Sequence, residues 1–215
     1  MMTQTAEAIA VRQDPFGSAT TGKLGMWLFI VMDGLSFGGL LIGGAALRAS
    51  APTWPAPGEI LNVPLTAFNT FLLICTSFTM VMALNSIQKG DQQGLVKFLT
   101  ATMIGGSIFL GIQIWEYGHF IAGSPELAAN LEKAGFVGTD NFLPSTSIYG
   151  AVFYATTCFH GLHVLSGVIY ITTILFQARK GKYSAENYDR VEILGLFWHF
   201  VDLIWIFVFT VIYLI

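Results

Sequence analysis

Charge is what this sequence has least of. Asp, Glu, Lys and Arg make up 11% of its 215 residues, against roughly a quarter in a soluble globular domain, which excludes a water-facing surface around a core of this size. Basic residues number 10 against 13 acidic ones, a net charge of −3, so no basic face exists for nucleic acid. There are two cysteines, Cys75 and Cys158. Both fall in apolar runs, read as small buried hydrophobes, and carry no disulfide framework. Residues 1–22 lack the apolar core of a signal peptide and read as a short uncleaved polar tail. No internal repeat, inverted pair of halves or low-complexity tract is visible.

What the chain does have is apolar length. Hydrophobic residues make up 54% of it, and the mean hydropathy is +0.65. Five runs reach the roughly 20 residues needed to cross a hydrocarbon core: Leu24 to Leu47, Val63 to Ile87, Val96 to Ala122, Ser147 to Ala178 and Glu192 to Ile215. No alternating strand pattern occurs, and lipid cannot satisfy an open backbone, so each run is expected to be helical. The predicted fold is all-α, a five-helix transmembrane bundle over residues 23–215 behind the tail of residues 1–22. Arg12, Lys23, Lys89, Lys97, Arg179, Lys180, Lys182 and Arg190 fall on one side of these spans, and only Arg48 and Lys133 on the other. That asymmetry predicts a cytoplasmic N-terminus and an outer C-terminus. Pro52, Pro55, Pro57 and Pro64 mark the first outward connector, and Pro125 and Pro144 the second. Within the latter, Pro125 to Ala134 has the pattern of a short surface helix.

Titratable side chains at membrane depth are costly and ask for a reason. Seven occur: Asp33, Glu116, His119, His160, His163, His199 and Asp202. Three pairs are spaced i to i+3, so both members share a helix face and each stripe is expected to turn inward. Asp33 falls about 15 Å from Lys23, near mid-membrane, and Glu116 about 30 Å beyond Lys97, near the outer interface. Three readings stay open. The seven can fix helix packing by hydrogen bonds; they can ligate a metal or haem; or Asp33 and Glu116 can touch a proton path or a bound lipid. No Lys or Arg lies within a turn of Asp33, so desolvation favours a protonated or proton-sharing carboxyl. Gly34, Gly38, Gly39 and Gly43 form small-xxx-small patterns suited to close helix contact. Trp27, Trp54, Trp115, Trp198 and Trp205 read as interfacial belt residues.

The segments Phe159-His160-Gly161-Leu162-His163-Val164, followed by Gly167, and Trp198-His199-Phe200-Val201-Asp202, followed by Trp205, resemble the signature segments of subunit III of haem-copper oxidases. Leu61-Asn62, Pro64 and Asn69-Thr70 are similar to the entry of that family's next helix, Gly90-Asp91 to its cytoplasmic turn, and Gln113 with Glu116-Tyr117 to its Gln-x-x-Glu-Tyr element. Glu192 falls where the family has a Glu six residues before the Trp. The resemblance covers roughly residues 22–215, and Asp33 falls where the family carries an intramembrane, carbodiimide-reactive carboxylate.

The resemblance implies a non-catalytic subunit of a proton-pumping terminal oxidase that reduces oxygen to water. It implies no haem, copper or other redox centre in this chain and a place beside subunit I and other oxidase subunits, in the bacterial inner membrane and within a larger respiratory assembly. It also implies bound phospholipid, support of proton uptake and a longer catalytic lifetime. Asp33 and Glu116 are then the proton-related carboxylates. His160, His163, Arg190, Glu192, Trp198, His199 and Asp202 are lipid-binding or bundle-polar, with a phosphate head group near Arg190, Glu192 and His199. Two departures stand out: five helices where longer relatives have seven, so that another chain completes any lipid cleft, and a long connector from Gly123 to Pro144. A cytochrome c oxidase is the first reading. A ubiquinol oxidase, a nitric-oxide-reductase-associated homologue, a proton-coupled transporter using Asp33 and Glu116, and a haem-binding quinol dehydrogenase are the alternatives.

Overall fold

A computed structural model of the chain describes residues 20–52 and 54–215. Its helices are α1 (Thr21–Ser50), α2 (Pro57–Ile60), α3 (Val63–Gln88), α4 (Gln92–Ala122), α5 (Pro125–Lys133), α6 (Ile148–Arg179) and α7 (Asp189–Val208), the last continued by a π-helical segment, Phe209–Leu214. Five are long and apolar enough to cross a membrane, in the same places as the five predicted runs. The tail falls mostly outside the described residues, as does Arg12, while Thr21 and Gly22 already belong to α1.

Local sequence explains where the helices start. Asn62, Asp91, Ser124 and Ser147 each accept a hydrogen bond from the backbone N–H three residues on, at 3.1, 2.9, 3.0 and 2.9 Å, satisfying a donor the first turn leaves free. Pro64 and Pro125 sit in the first turns of α3 and α5, where a missing N–H costs nothing. The Asp91 cap also corrects one boundary: α4 begins at Gln92, so Lys97 lies a full turn inside it rather than at its start. Between α3 and α4, Gly90 at φ +76° makes the reversal, a conformation that a side chain would strain.

α3 packs against α4, α4 against α6, α6 against α7 and α7 against α3, which closes a ring of four helices. α1 lies outside this ring, chiefly against α6 and α7. Only 11% of its span is buried, against 56% for the span beginning at Asp189, so α7 is the centre of the bundle and α1 its edge. α2 and α5 pack together beside the far ends of α3 and α4, and α5 confirms the amphipathic stretch expected over 125–134.

Packing overturns three expectations. Trp198 and Trp205 are fully buried rather than interfacial, whereas Trp27 and Trp115 are exposed. Apolar runs alone do not mark which aromatic faces lipid and which faces the neighbouring helix. Cys75 and Cys158 lie on the outside of the bundle, where surrounding lipid is as apolar as a core. Of the glycine pattern in α1, Gly34 approaches Phe200, while Gly38, Gly39 and Gly43 have open space over their faces. That stripe does not form a close helix contact within this chain.

Candidate functional site

The polar side chains of the interior fall into two stations along the bundle. The first joins α1 to α6. Asp33 is buried, and its Oδ2 lies 3.2 Å from His163 Nε2. His163 Nδ1 lies 2.7 Å from the Phe159 carbonyl oxygen, which can only accept, so Nδ1 carries the hydrogen. Nε2 is thereby turned to Asp33 as its polar partner across the helix contact, in a stretch of α1 with no Lys or Arg within a turn. The approach is bent, leaving Oδ2 without an aligned hydrogen bond. Phe37 and Phe159 close over the imidazole, with ring centroids 5.2 and 4.7 Å away.

One turn along α6, His160 is fully buried, and neither ring nitrogen has a hydrogen-bond partner. Trp205 lies against its face at 4.7 Å, with the edges of Phe109 and Phe37 at 5.8 and 6.3 Å. Two indoles fasten α7 to α3: Trp198 Nε1 donates to Thr76 Oγ1 at 3.0 Å and Trp205 Nε1 to Thr70 Oγ1 at 2.9 Å. Trp198 also fills the space left by two glycines. A Cβ on Gly106 of α4 would come within 2.6 Å of its ring, and one on Gly167 of α6 within 2.8 Å. One indole thus touches three other helices. Further along α7, His199 Nδ1 pairs with Ser77 Oγ at 2.6 Å, and Asp202 is buried with no aligned partner.

The second station lies toward the end of α4. Glu116 Oε2 accepts from Tyr213 OH at 3.3 Å, and Tyr117 OH donates to Thr157 Oγ1 at 2.7 Å. The π-helical turn delivers Tyr213 to this position, and Tyr149 OH of α6 donates to its Ile212 carbonyl at 3.1 Å. Glu116 and its i+3 partner part company here. His119 is exposed and stacks on Trp115 at 5.9 Å, so this stripe does not turn wholly inward.

At the opposite end, Lys23 of α1 reaches Asp189 at 3.1 Å and Glu192 at 2.8 Å, tying α1 to the start of α7. Arg190 is exposed nearby. The Tyr183 phenol is pushed up from its ordinary range by burial, an effect the nearby Arg190 charge opposes. Glu192 and His199 are two turns apart, about 10 Å, and turn to Lys23 and Ser77 respectively. The structure therefore does not gather Arg190, Glu192 and His199 around one phosphate. Ser77, Thr76, Thr70 and Tyr213 are the partners that sequence reasoning missed. Ser and Thr recur throughout these helices, most bonding their own backbone, so nothing in the pattern singles out those that bridge.

An all-helical membrane bundle with a carboxyl–imidazole pair at half depth and tryptophan-to-threonine ties in its interior is the class of protein these features define. Sequence comparison makes the class particular. The profile of the cytochrome c oxidase subunit III family matches residues 132–215, a range containing both signature segments. The chain is 32% identical over 193 residues to the cytochrome c oxidase subunit 3 of Thermostichus vulcanus, spanning 89% of this chain and 86% of that one. Against the Synechocystis cytochrome c oxidase subunit 3 it is 34% identical, over 89% of this chain and 74% of that one. The cytochrome bo(3) ubiquinol oxidase subunit 3 of Pseudomonas putida is 31% identical, over 89% and 84%. The chain belongs to the subunit III family of haem-copper oxidases. It is a membrane-embedded subunit of an oxidase complex.

Proposed function

We propose that this chain is the non-catalytic subunit III of a proton-pumping cytochrome c oxidase in the bacterial inner membrane, with its N-terminus cytoplasmic and its C-terminus outside. It packs beside subunit I, binds phospholipid and helps sustain proton uptake during turnover. The observation that carries the reading is the approach of Asp33 Oδ2 to His163 Nε2, 3.2 Å apart at half depth in the bundle. A shared proton in a desolvated pair can be given up and retaken without leaving an unpaired charge in lipid. The asymmetry of Lys and Arg across the spans supports the orientation.

Haem and copper are assigned to the partner subunits. Packing supports this assignment at His160, where Trp205, Phe109 and Phe37 crowd the imidazole. Among the described residues, no three His, Cys, Asp or Glu side chains converge as metal ligands would.

The test is Asp33→Asn in the assembled oxidase, followed through many turnovers with cytochrome c and then with quinol as donor. The expected result is a near-normal initial rate with cytochrome c and a shortened catalytic lifetime. Loss of activity from the first turnover, with assembly intact, would make Asp33 part of the obligatory path, and an unchanged lifetime would leave it a packing residue.

A further inference from the structure

The π-helical segment is the least ordinary stretch of this backbone. Such turns are rare and gather at functional sites, and this one turns the buried Tyr213 inward, toward α4 and α6. Its phenol ring lies 6.1 Å from the fully buried indole of Trp205, 5.7 Å from Phe153 and 5.8 Å from Phe209, centroid to centroid. Trp and Tyr are the aromatic side chains that give up a single electron most readily. What sets Tyr213 apart from the tyrosines around it is the group that receives its O–H. Tyr149 donates to the Ile212 carbonyl at 3.1 Å, Tyr154 to the Phe142 carbonyl at 2.9 Å and Tyr117 to Thr157 Oγ1 at 2.7 Å. A carbonyl or a hydroxyl cannot keep a phenol's proton. Of these four phenols only that of Tyr213 faces a carboxyl, Glu116 Oε2 at 3.3 Å, and a carboxylate can keep it. Trp205 has no such outlet: its Nε1 donates to Thr70 Oγ1, and that hydroxyl gives its own hydrogen to the Thr66 carbonyl.

We infer that Trp205, Tyr213 and Glu116 form a proton-coupled one-electron donor site, which disarms a radical oxidant of the alkoxyl class that attacks the bundle interior. The oxidant takes one electron from the Trp205 indole and leaves as alkoxide. Trp205 becomes a radical cation that keeps its N–H, because Thr70 cannot take the proton. Tyr213 then gives one electron to Trp205 and its phenol proton to the Glu116 carboxylate. No bond between heavy atoms forms or breaks. The indole is restored, the phenol becomes a neutral phenoxyl radical and Glu116 becomes a carboxylic acid. This second step turns a buried cation and a buried anion into two neutral groups. Charge at membrane depth is costly, so the missing electron moves from Trp205 to Tyr213 and stays there. The site works in the same way whether cytochrome c or quinol feeds the complex.

The experiment treats the purified oxidase complex with tert-butyl hydroperoxide, a source of alkoxyl radicals, and freezes it rapidly for electron paramagnetic resonance. Ring-deuterated tyrosine identifies tyrosyl signals, and ring-deuterated tryptophan identifies indole ones. A tyrosyl component is expected that Tyr213→Phe removes and that Tyr117→Phe and Tyr154→Phe leave in place. Glu116→Gln keeps a hydrogen-bond acceptor but no base. It should lower that component by about fivefold or more, in favour of an indole radical that Trp205→Phe removes. In wild-type complex equilibrated in deuterium oxide, the tyrosyl component should form about twofold or more slowly than in water. A tyrosyl amplitude unchanged by Tyr213→Phe overturns the site, as does one lowered equally by Tyr117→Phe or Tyr154→Phe. So does a component that Glu116→Gln leaves intact. If that variant does not assemble, formation at the same rate in both solvents overturns the site on the wild type alone.

Discussion

At the scale of single residues, the bundle depends on side chains that supply what the bilayer withholds. Lipid offers no hydrogen bonds, so an indole N–H facing inward must find its acceptor in the protein. Trp198 finds it in Thr76. Thr76→Val keeps the shape and removes the acceptor, and the cost expected is about 1–3 kcal/mol, read as a lowered melting temperature of the complex in detergent. In a Trp198→Phe background the same substitution should cost almost nothing, because no donor is left to orphan; an equal loss in both backgrounds would mean that Thr76 acts by packing alone. His163 follows the same logic: its Nδ1 is turned to the Phe159 carbonyl, which leaves Nε2 facing Asp33.

Elements are organised around α7. Its residues Trp198 and Trp205 reach Thr76 and Thr70 on α3, and Trp198 lies in the gap left by Gly106 and Gly167 on α4 and α6. The absence of a side chain at Gly167 is thus a requirement of the helix-to-helix distance. Gly167→Ala places a methyl within 2.8–2.9 Å of an indole already held from the other side by Gly106. Overpacking of this kind costs typically 1–3 kcal/mol, and reduced assembly with a lower melting temperature is expected. Gly161→Ala, six residues earlier with open space around it, is the control that should leave both unchanged. The helix starts follow from short-range chemistry: a side chain at Asn62, Asp91, Ser124 or Ser147 caps the turn that follows.

For the whole molecule, membrane spans and their order were legible because apolar length and charge asymmetry are properties of the chain itself. Residues such as Asp33, Glu116 and His163 stood out for the same reason, as polar groups where polar groups are expensive. Their partners were not legible. Nothing local to α1 announces that Asp33 meets His163, which lies far along the sequence, and nothing in the spacing of Trp198 distinguishes a belt residue from one wedged between helices. His119 looked like the inward companion of Glu116, and the actual rotation of α4 sends it to the surface. Orientation is open to direct measurement: after replacing Cys75 and Cys158, single cysteines at Lys133 or Asp140 should react with an impermeant maleimide added outside intact cells. Cysteines at Lys89 or Lys180 should react only after the membrane is opened, and the reverse pattern would invert the topology.

The position of α1 at the edge of the bundle also bears on how the protein is made. α1 is synthesised first, yet the helices it packs against, α6 and α7, are synthesised last. At ordinary elongation rates it waits in the bilayer for on the order of ten seconds before His163 and Asp189 exist to meet Asp33 and Lys23. During that interval Asp33 has no polar partner on α6, and a lone Asp at the centre of an inserting helix carries a penalty of about 2.5–3.5 kcal/mol. The run of Leu, Ile, Phe, Val and Met around Asp33 therefore has a task apart from the finished contacts: it must keep the first helix in the membrane until the last two arrive.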